Sequence, residues 1–173
     1  MNIFKSTLLS ALMVSFFLLG CAGEKKEEEE KKTIKIEKKE TPAKESSEDI
    51  ANLVITGNDL MQYNKNELRA KAGQKVKLTL RHIGKLDVNV MGHNVVILNR
   101  GVNLEAFAAR AATERDNNYI PPGTDEVLVN TEMIGGGQTT SVEFIAPSEP
   151  GEYEFLCSFP AHYAMMRGKF IVE

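Results

Sequence analysis

Residues 152–168 read Glu152-Tyr-Glu-Phe-Leu-Cys157-Ser-Phe-Pro-Ala-His162-Tyr-Ala-Met-Met166-Arg-Gly168. The first half alternates. Tyr153, Phe155 and Cys157 share one face, and Glu152 and Glu154 point the other way, which is the period of a half-buried strand. The second half breaks the period at Pro160 and becomes a stiffened loop. That loop carries a thiol, an imidazole and a thioether within ten residues. A lone inward cysteine is usually a small core residue. Composition alone places a His at +5 and a Met at +9 about once in 1,400 cysteines. Thiolate and thioether are soft donors that select copper, Cu(I) in particular. A rigid strand leading into the loop would fix their positions.

Outward from this stretch the chain reads as more strands. Val76, Leu78, Leu80 and His82 alternate with Lys75, Lys77, Thr79 and Arg81. Val142 and Phe144 flank Glu143, and Phe170 and Val172 form a last inward pair. Residues 53–56, 95–98 and 127–131 are short β-branched runs. Gly57-Asn58-Asp59, Pro121-Pro122-Gly123, Gly135-Gly136-Gly137 and residues 147–151 punctuate them as turns. Many short strands spaced in this way predict an all-β sandwich. One segment differs: Leu104, Phe107, Ala108 and Ala111 follow i, i+3, i+4, i+7, so residues 104–113 are expected as one inserted helix.

A copper site of this kind needs a second imidazole. His93, in Met91-Gly92-His93-Asn94, stands just before the run at Val95. Gly92 permits close backbone approach, so its carbonyl is a candidate weak axial donor. Asn94 is a candidate hydrogen-bonding partner of the thiolate. His82 shares a face with apolar residues and reads as a core histidine that is still able to titrate, not as a ligand.

The ends differ in composition. Lys5 and the twelve apolar or small residues at 8–19 read as a secretion signal over residues 1–20, too short for an ordinary spanning helix. Leu18-Leu19-Gly20-Cys21 resembles a bacterial lipobox, which implies a lipid anchor at Cys21. An ordinary cleaved signal is the alternative. Residues 24–48 hold nine Glu and eight Lys with almost no apolar side chain. Such a segment cannot offset its ordering entropy, so residues 21–48 are expected as a disordered tether. As a flexible coil, 25 residues span roughly 25–30 Å. Residues 49–173 make one domain of common size. The net charge of −3 and the absence of a basic, aromatic-interleaved patch argue against nucleic acid as a partner.

The two motifs resemble the copper motifs of the azurin family. Gly57-Asn58-Asp59-Leu60-Met61-Gln62-Tyr63-Asn64, His82-Ile-Gly-Lys-Leu86 and Asn89-Val90-Met91 extend the resemblance, in order, across residues 49–173. The lipid-anchored arrangement is similar to auracyanin-type relatives. The resemblance implies a Greek-key, cupredoxin-like β-sandwich with a helical flap at about 104–119. It implies one copper ion cycling between Cu(I) and Cu(II), with His93, Cys157 and His162 equatorial, Met166 axial and the Gly92 carbonyl opposite. Asn94 and the Phe159 N–H would donate to the sulfur, and His82 would match the family's titrating histidine. Electrons would pass through the edge of His162, inside an exposed apolar patch of Met61, Leu86, Val90, Met91, Phe159, Pro160, Ala161 and Met165. Transient redox proteins, a cytochrome or another copper or haem oxidoreductase, are the expected partners. The family's N-terminal disulfide has no counterpart, Val95 and Leu156 stand where aromatics are usual, and Ala161 replaces a Gly.

An oxidase or nitrite reductase needs further His-bound copper, and only His82 is left to supply it. A copper-delivery module is the main alternative, and a metal-free adhesion sandwich the plainest.

Overall fold

The computed structural model describes residues 49–173. The expected signal, the anchor at Cys21 and the tether lie outside the described residues. Two sheets pack face to face. One holds three strands: β1 (Ala51–Gly57), β3 (Lys75–His82) and β6 (Thr139–Ile145), in the order β1-β3-β6. The other holds β2 (Glu67–Ala70), β4 (Val96–Leu98), β5 (Val127–Asn130), β7 (Gly151–Leu156) and β8 (Arg167–Val172), in the order β2-β8-β7-β4-β5.

β3 shows why the pattern works. Val76, Leu78, Leu80 and His82 are buried, and Lys77 and Arg81 between them are exposed. From the first sheet Ile55, Leu78 and Leu80 meet Ile97, Phe155 and Phe170 from the second in one core. Each such fully buried side chain stabilises the fold by about 1.5–3 kcal/mol.

β4 does not alternate, because both its faces are covered. Ile97 faces the sandwich core, and Val96 and Leu98 lie under the helix α2 (Leu104–Ala111) with Leu156. The apolar residues of α2 are those its spacing predicts: Leu104, Phe107, Ala108 and Ala111. Asn103 caps it by accepting from the Ala106 N–H at 2.8 Å. The helix stops at Ala111, two residues short of expectation, and a 3-10 turn at Arg115–Asn117 completes the flap.

Two elements went unread in the sequence. β2 is four residues long and inward only at Leu68 and Ala70, too short for a period to show. The single turn α1 (Val88–Met91) depends on Asp87, whose carboxylate accepts from the Asn89 N–H at 2.9 Å. α1 presents residues 88–91 beside the metal-site motif that follows it.

Candidate metal centre

The site forms at one end of the sandwich. β1 and β3 run parallel, so Gly57 and His82 finish side by side there. β4 begins there just after His93, and β7 ends there just before Cys157. The loop from Cys157 is closed at its base, where the Cys157 N–H donates to the Met166 carbonyl at 2.9 Å. Inside it the N–H groups of Met165 and Met166 both donate to the His162 carbonyl, at 3.0 and 2.8 Å. The loop enters this turn through Ala161 at φ 68°. Alanine pays about 1–2 kcal/mol for that left-handed conformation. The turn is thus kept although the residue that would make it free of strain is absent.

His93 is locked twice. Its backbone exchanges two hydrogen bonds with Ile134, both 2.9 Å. Its Nε2 lies 2.9 Å from the Asn58 carbonyl. A carbonyl only accepts, so Nε2 carries the proton and Nδ1 keeps its lone pair. That Nδ1 lies 3.9 Å from the Cys157 Sγ, and the His162 Nδ1 lies 3.7 Å from it. All three donor atoms fall within 4.8 Å of one another, and all three residues are buried.

These separations fit one ion. Imidazole bonds of about 2.1 Å and a thiolate bond of about 2.3 Å, arranged trigonally, place N and S about 3.8 Å apart. The Gly92 carbonyl oxygen is 3.8 Å from Sγ. Gly92 has room for no side chain: a Cβ there would stand 2.5 Å from the Val88 carbonyl oxygen and 3.0 Å from the Phe159 ring. Gly57 is equally confined, by the His93 ring at 2.7 Å and the Met166 methyl at 3.4 Å from such a Cβ. The Met166 thioether end therefore shares the space over Gly57 with the His93 ring.

Burial shapes the charge states. It pushes the Cys157 thiol up to about 11, against the Asn94 and Phe159 N–H groups and the Tyr63 hydroxyl, which favour the thiolate. It pulls His162 down to about 4, with the charges of His93 and His82 adding to the effect, and it lowers His93 as well. The pocket thus offers neutral imidazoles at ordinary pH and holds its thiol protonated until a cation enters, so metal binding releases that proton.

Asn94 uses two sets of atoms. Its main-chain N–H favours the thiolate form of Cys157. Its side chain joins the two motifs: Oδ1 accepts from the Ser158 N–H at 2.9 Å, and Nδ2 donates to the Ser158 Oγ at 2.8 Å. His82 stacks on His93, with ring centroids 4.3 Å apart and planes 12° from parallel. Both its nitrogens are engaged, Nε2 with the Met91 carbonyl at 2.8 Å and Nδ1 with the Gly84 N–H at 3.1 Å.

The expected apolar patch is partly exposed. Met61, Leu86, Val90, Ala161 and Met165 are exposed, Val90 and Met165 to about three-fifths. Met91, Phe159 and Pro160 are half-buried instead. The Phe159 ring lies between Tyr119 and His162, at centroid distances of 5.2 and 4.6 Å, which withdraws it from solvent. Leu60, 69% exposed beside Met61, was not read as part of this surface. Tyr63, Ser158 and Thr131 also went unread as site residues. Ser158 adjoins the cysteine, but its partner Asn94 is 64 positions away.

The family model described as copper binding proteins of the plastocyanin/azurin family matches residues 50–173. The chain belongs to the plastocyanin/azurin family. Azurin-1 of Alcaligenes xylosoxydans xylosoxydans is 41% identical over 117 residues, which are 66% of this chain and 91% of that one. Azurin of Pseudomonas aeruginosa is 37% identical over 122 residues, 69% of this chain and 82% of that one. Among solved structures, azurin Az-iso2 of the obligate methylotroph Methylomonas sp. strain J superposes with a TM-score of 0.65 at 31% identity. That match covers 71% of this chain and 98% of the other. The two-sheet cupredoxin fold is thereby established, and copper is the cofactor for which His93, Cys157 and His162 are positioned.

Proposed function

We propose that this member of the azurin family is a lipid-tethered carrier of single electrons in the periplasm or at the cell surface. In this reading His93, Cys157 and His162 would hold one copper ion, with the Met166 thioether and the Gly92 carbonyl as further, weaker donors. The observation that carries it is the donor set itself. A thiolate and two imidazoles stand at separations suited to one ion, each fixed by hydrogen bonds of its own main chain or ring. When bound, copper supplies a one-electron couple between Cu(II) and Cu(I).

The chain's residues do the rest. The Asn58 carbonyl and the Ile134 bridge hold His93 in place. The Asn94 and Phe159 N–H groups stabilise negative charge on the sulfur. Donors fixed in this way need little rearrangement when the charge at the site changes. His162 is the port. No buried side-chain nitrogen or oxygen lacks a partner among the described residues, yet the His162 Nε2 has no hydrogen bond. That nitrogen is therefore not sealed from solvent, although the residue as a whole is buried. Met61, Leu86, Val90 and Met165 offer partners exposed apolar surface, and transient redox encounters use small interfaces, below about 1,200 Å².

Voltammetry of the copper-loaded chain tests the carrier reading. Repeated one-electron cycling without metal loss is expected, and release of copper on reduction would move copper delivery to the front. Electron self-exchange between copies tests the surface. Ala161→Asp keeps a residue type that tolerates positive φ and places like charges face to face. The rate should fall about tenfold or more with the colour unchanged, and Met91→Ala should slow it less. Unaltered rates in both would remove the docking surface. For the tether, Cys21→Ser should move the protein from the membrane fraction to the soluble one, and equal membrane retention of both forms would end the lipid-anchor reading.

A further inference from the structure

Tyr63 lies in the loop between β1 and β2, far in sequence from either copper motif. Its main chain bridges to Gly57. Its ring packs on Phe155, with centroids 5.9 Å apart and planes at 58°. The ring is thereby aimed so that its hydroxyl donates to the Asn94 carbonyl. Among the described residues, the Asn94 carbonyl has no other donor. The N–H of the same peptide, on Val95, donates to the Thr131 Oγ1 at 3.0 Å. Both polar atoms of the Asn94–Val95 peptide are therefore held by side-chain hydroxyls, at the place where β4 leaves the metal centre. On the other side of its own Cα, Asn94 follows His93, and its amide holds Ser158, the residue after the cysteine, while in the carrier reading its N–H is a donor to the sulfur.

We infer that Tyr63 is a positioning residue of the copper centre: by clamping the Asn94 carbonyl, its hydroxyl keeps the Asn94 N–H on the thiolate and raises the reduction potential. The physical link is charge. Reduction adds negative charge to the metal–thiolate unit, and a donor held on the sulfur favours the form with more of it. Phenylalanine at this position would keep the packing on Phe155 and lose only the clamp. The orphaned carbonyl would then draw the start of β4 toward another donor, loosening the N–H that faces the sulfur. The inference rests on the electron-carrier reading for its consequence, but its structural half does not depend on copper.

The test uses the full chain and Tyr63→Phe. In the metal-free protein, the Asn94 amide proton should exchange with solvent faster in the variant, while amides of β7 and β8 stay as they were. In the copper-loaded protein, the reduction potential should fall and the thiolate absorption band should shift. Thr131→Val frees the other polar atom of the same peptide and should also lower the potential. Together the two changes should lower it by less than the sum, since both act on one peptide. An unchanged or raised potential in a Tyr63→Phe protein that keeps its colour would overturn the inference, as would unaltered Asn94 exchange. If Tyr63→Phe fails to hold copper, the exchange rate and the Thr131→Val potential decide in the same way. Absence of a reversible couple in the parent protein would instead count against the carrier reading alone.

Discussion

Cys157→Ser is expected to abolish the intense blue absorption of the copper-loaded protein and to replace its narrow copper hyperfine splitting with a wide, ordinary tetragonal pattern. The reason is the bond and not the shape. Serine nearly matches cysteine in size, and the rest of the site is held independently of the sulfur. His93 hangs on the Asn58 carbonyl and Ile134, and the loop turn on the His162 carbonyl. What the variant lacks is a soft thiolate, and its hydroxyl does not ionise to an equivalent donor. Metal-free stability should fall by no more than about 1–3 kcal/mol, the cost of placing a hydroxyl in a fully buried site. Absorption and EPR spectra recorded beside the parent protein settle it. A variant that keeps the blue band would show that the sulfur is not a ligand, and the ligand assignment would have to be rebuilt around other residues.

Phe155→Ala should be the largest single loss of stability, about 3–5 kcal/mol. The ring is wholly buried at the centre of the larger sheet's inner face. Its backbone faces Ile97 on one neighbouring strand and Gly168 on the other. A Cβ on Gly168 would stand 2.5 Å from the ring's Cζ, so the ring fills the space that this glycine leaves open. Surrounding strands cannot collapse into that volume without breaking ladders on both sides, which puts the cost toward the upper end of the range. Denaturant unfolding should show the midpoint shifted at an unchanged slope. A loss below about 1 kcal/mol would mean the core repacks there. The same variant also takes away the surface against which Tyr63 is aimed.

The folding pattern and the donors were legible in different ways. β3 and β7 could be read because a strand writes its burial as an alternation of period two, as in Val76, Leu78, Leu80 and His82. The helix over Leu104–Ala111 could be read because its apolar spacing is 3.6 and not 2. β4 resisted that logic. Its three residues are all wholly buried since α2 covers the side away from the sandwich. Nothing within Val96-Ile97-Leu98 announces a helix that starts six residues later. The patch was half legible for a similar reason: hydrophobicity marked Phe159, and only packing put Tyr119 against it.

The sequence by itself determined the donor chemistry. Cys157, His162 and Met166 are near neighbours on one loop, so their spacing carries the information, and His93 follows once a second imidazole is required. Only the tertiary structure decided how those donors are held and tuned. Tyr63 reaches Asn94 across 31 positions, and Asn94 reaches Ser158 across 64. The motif named Asn94 as a partner of the sulfur, but only the fold shows its side-chain amide engaged by Ser158, which leaves to the sulfur the main-chain N–H, a group every residue but proline owns. Short-range order is written in periodicity and spacing. The hydrogen bonds that set a metal centre's properties join segments far apart in the chain, and they exist only once the two sheets have closed on each other.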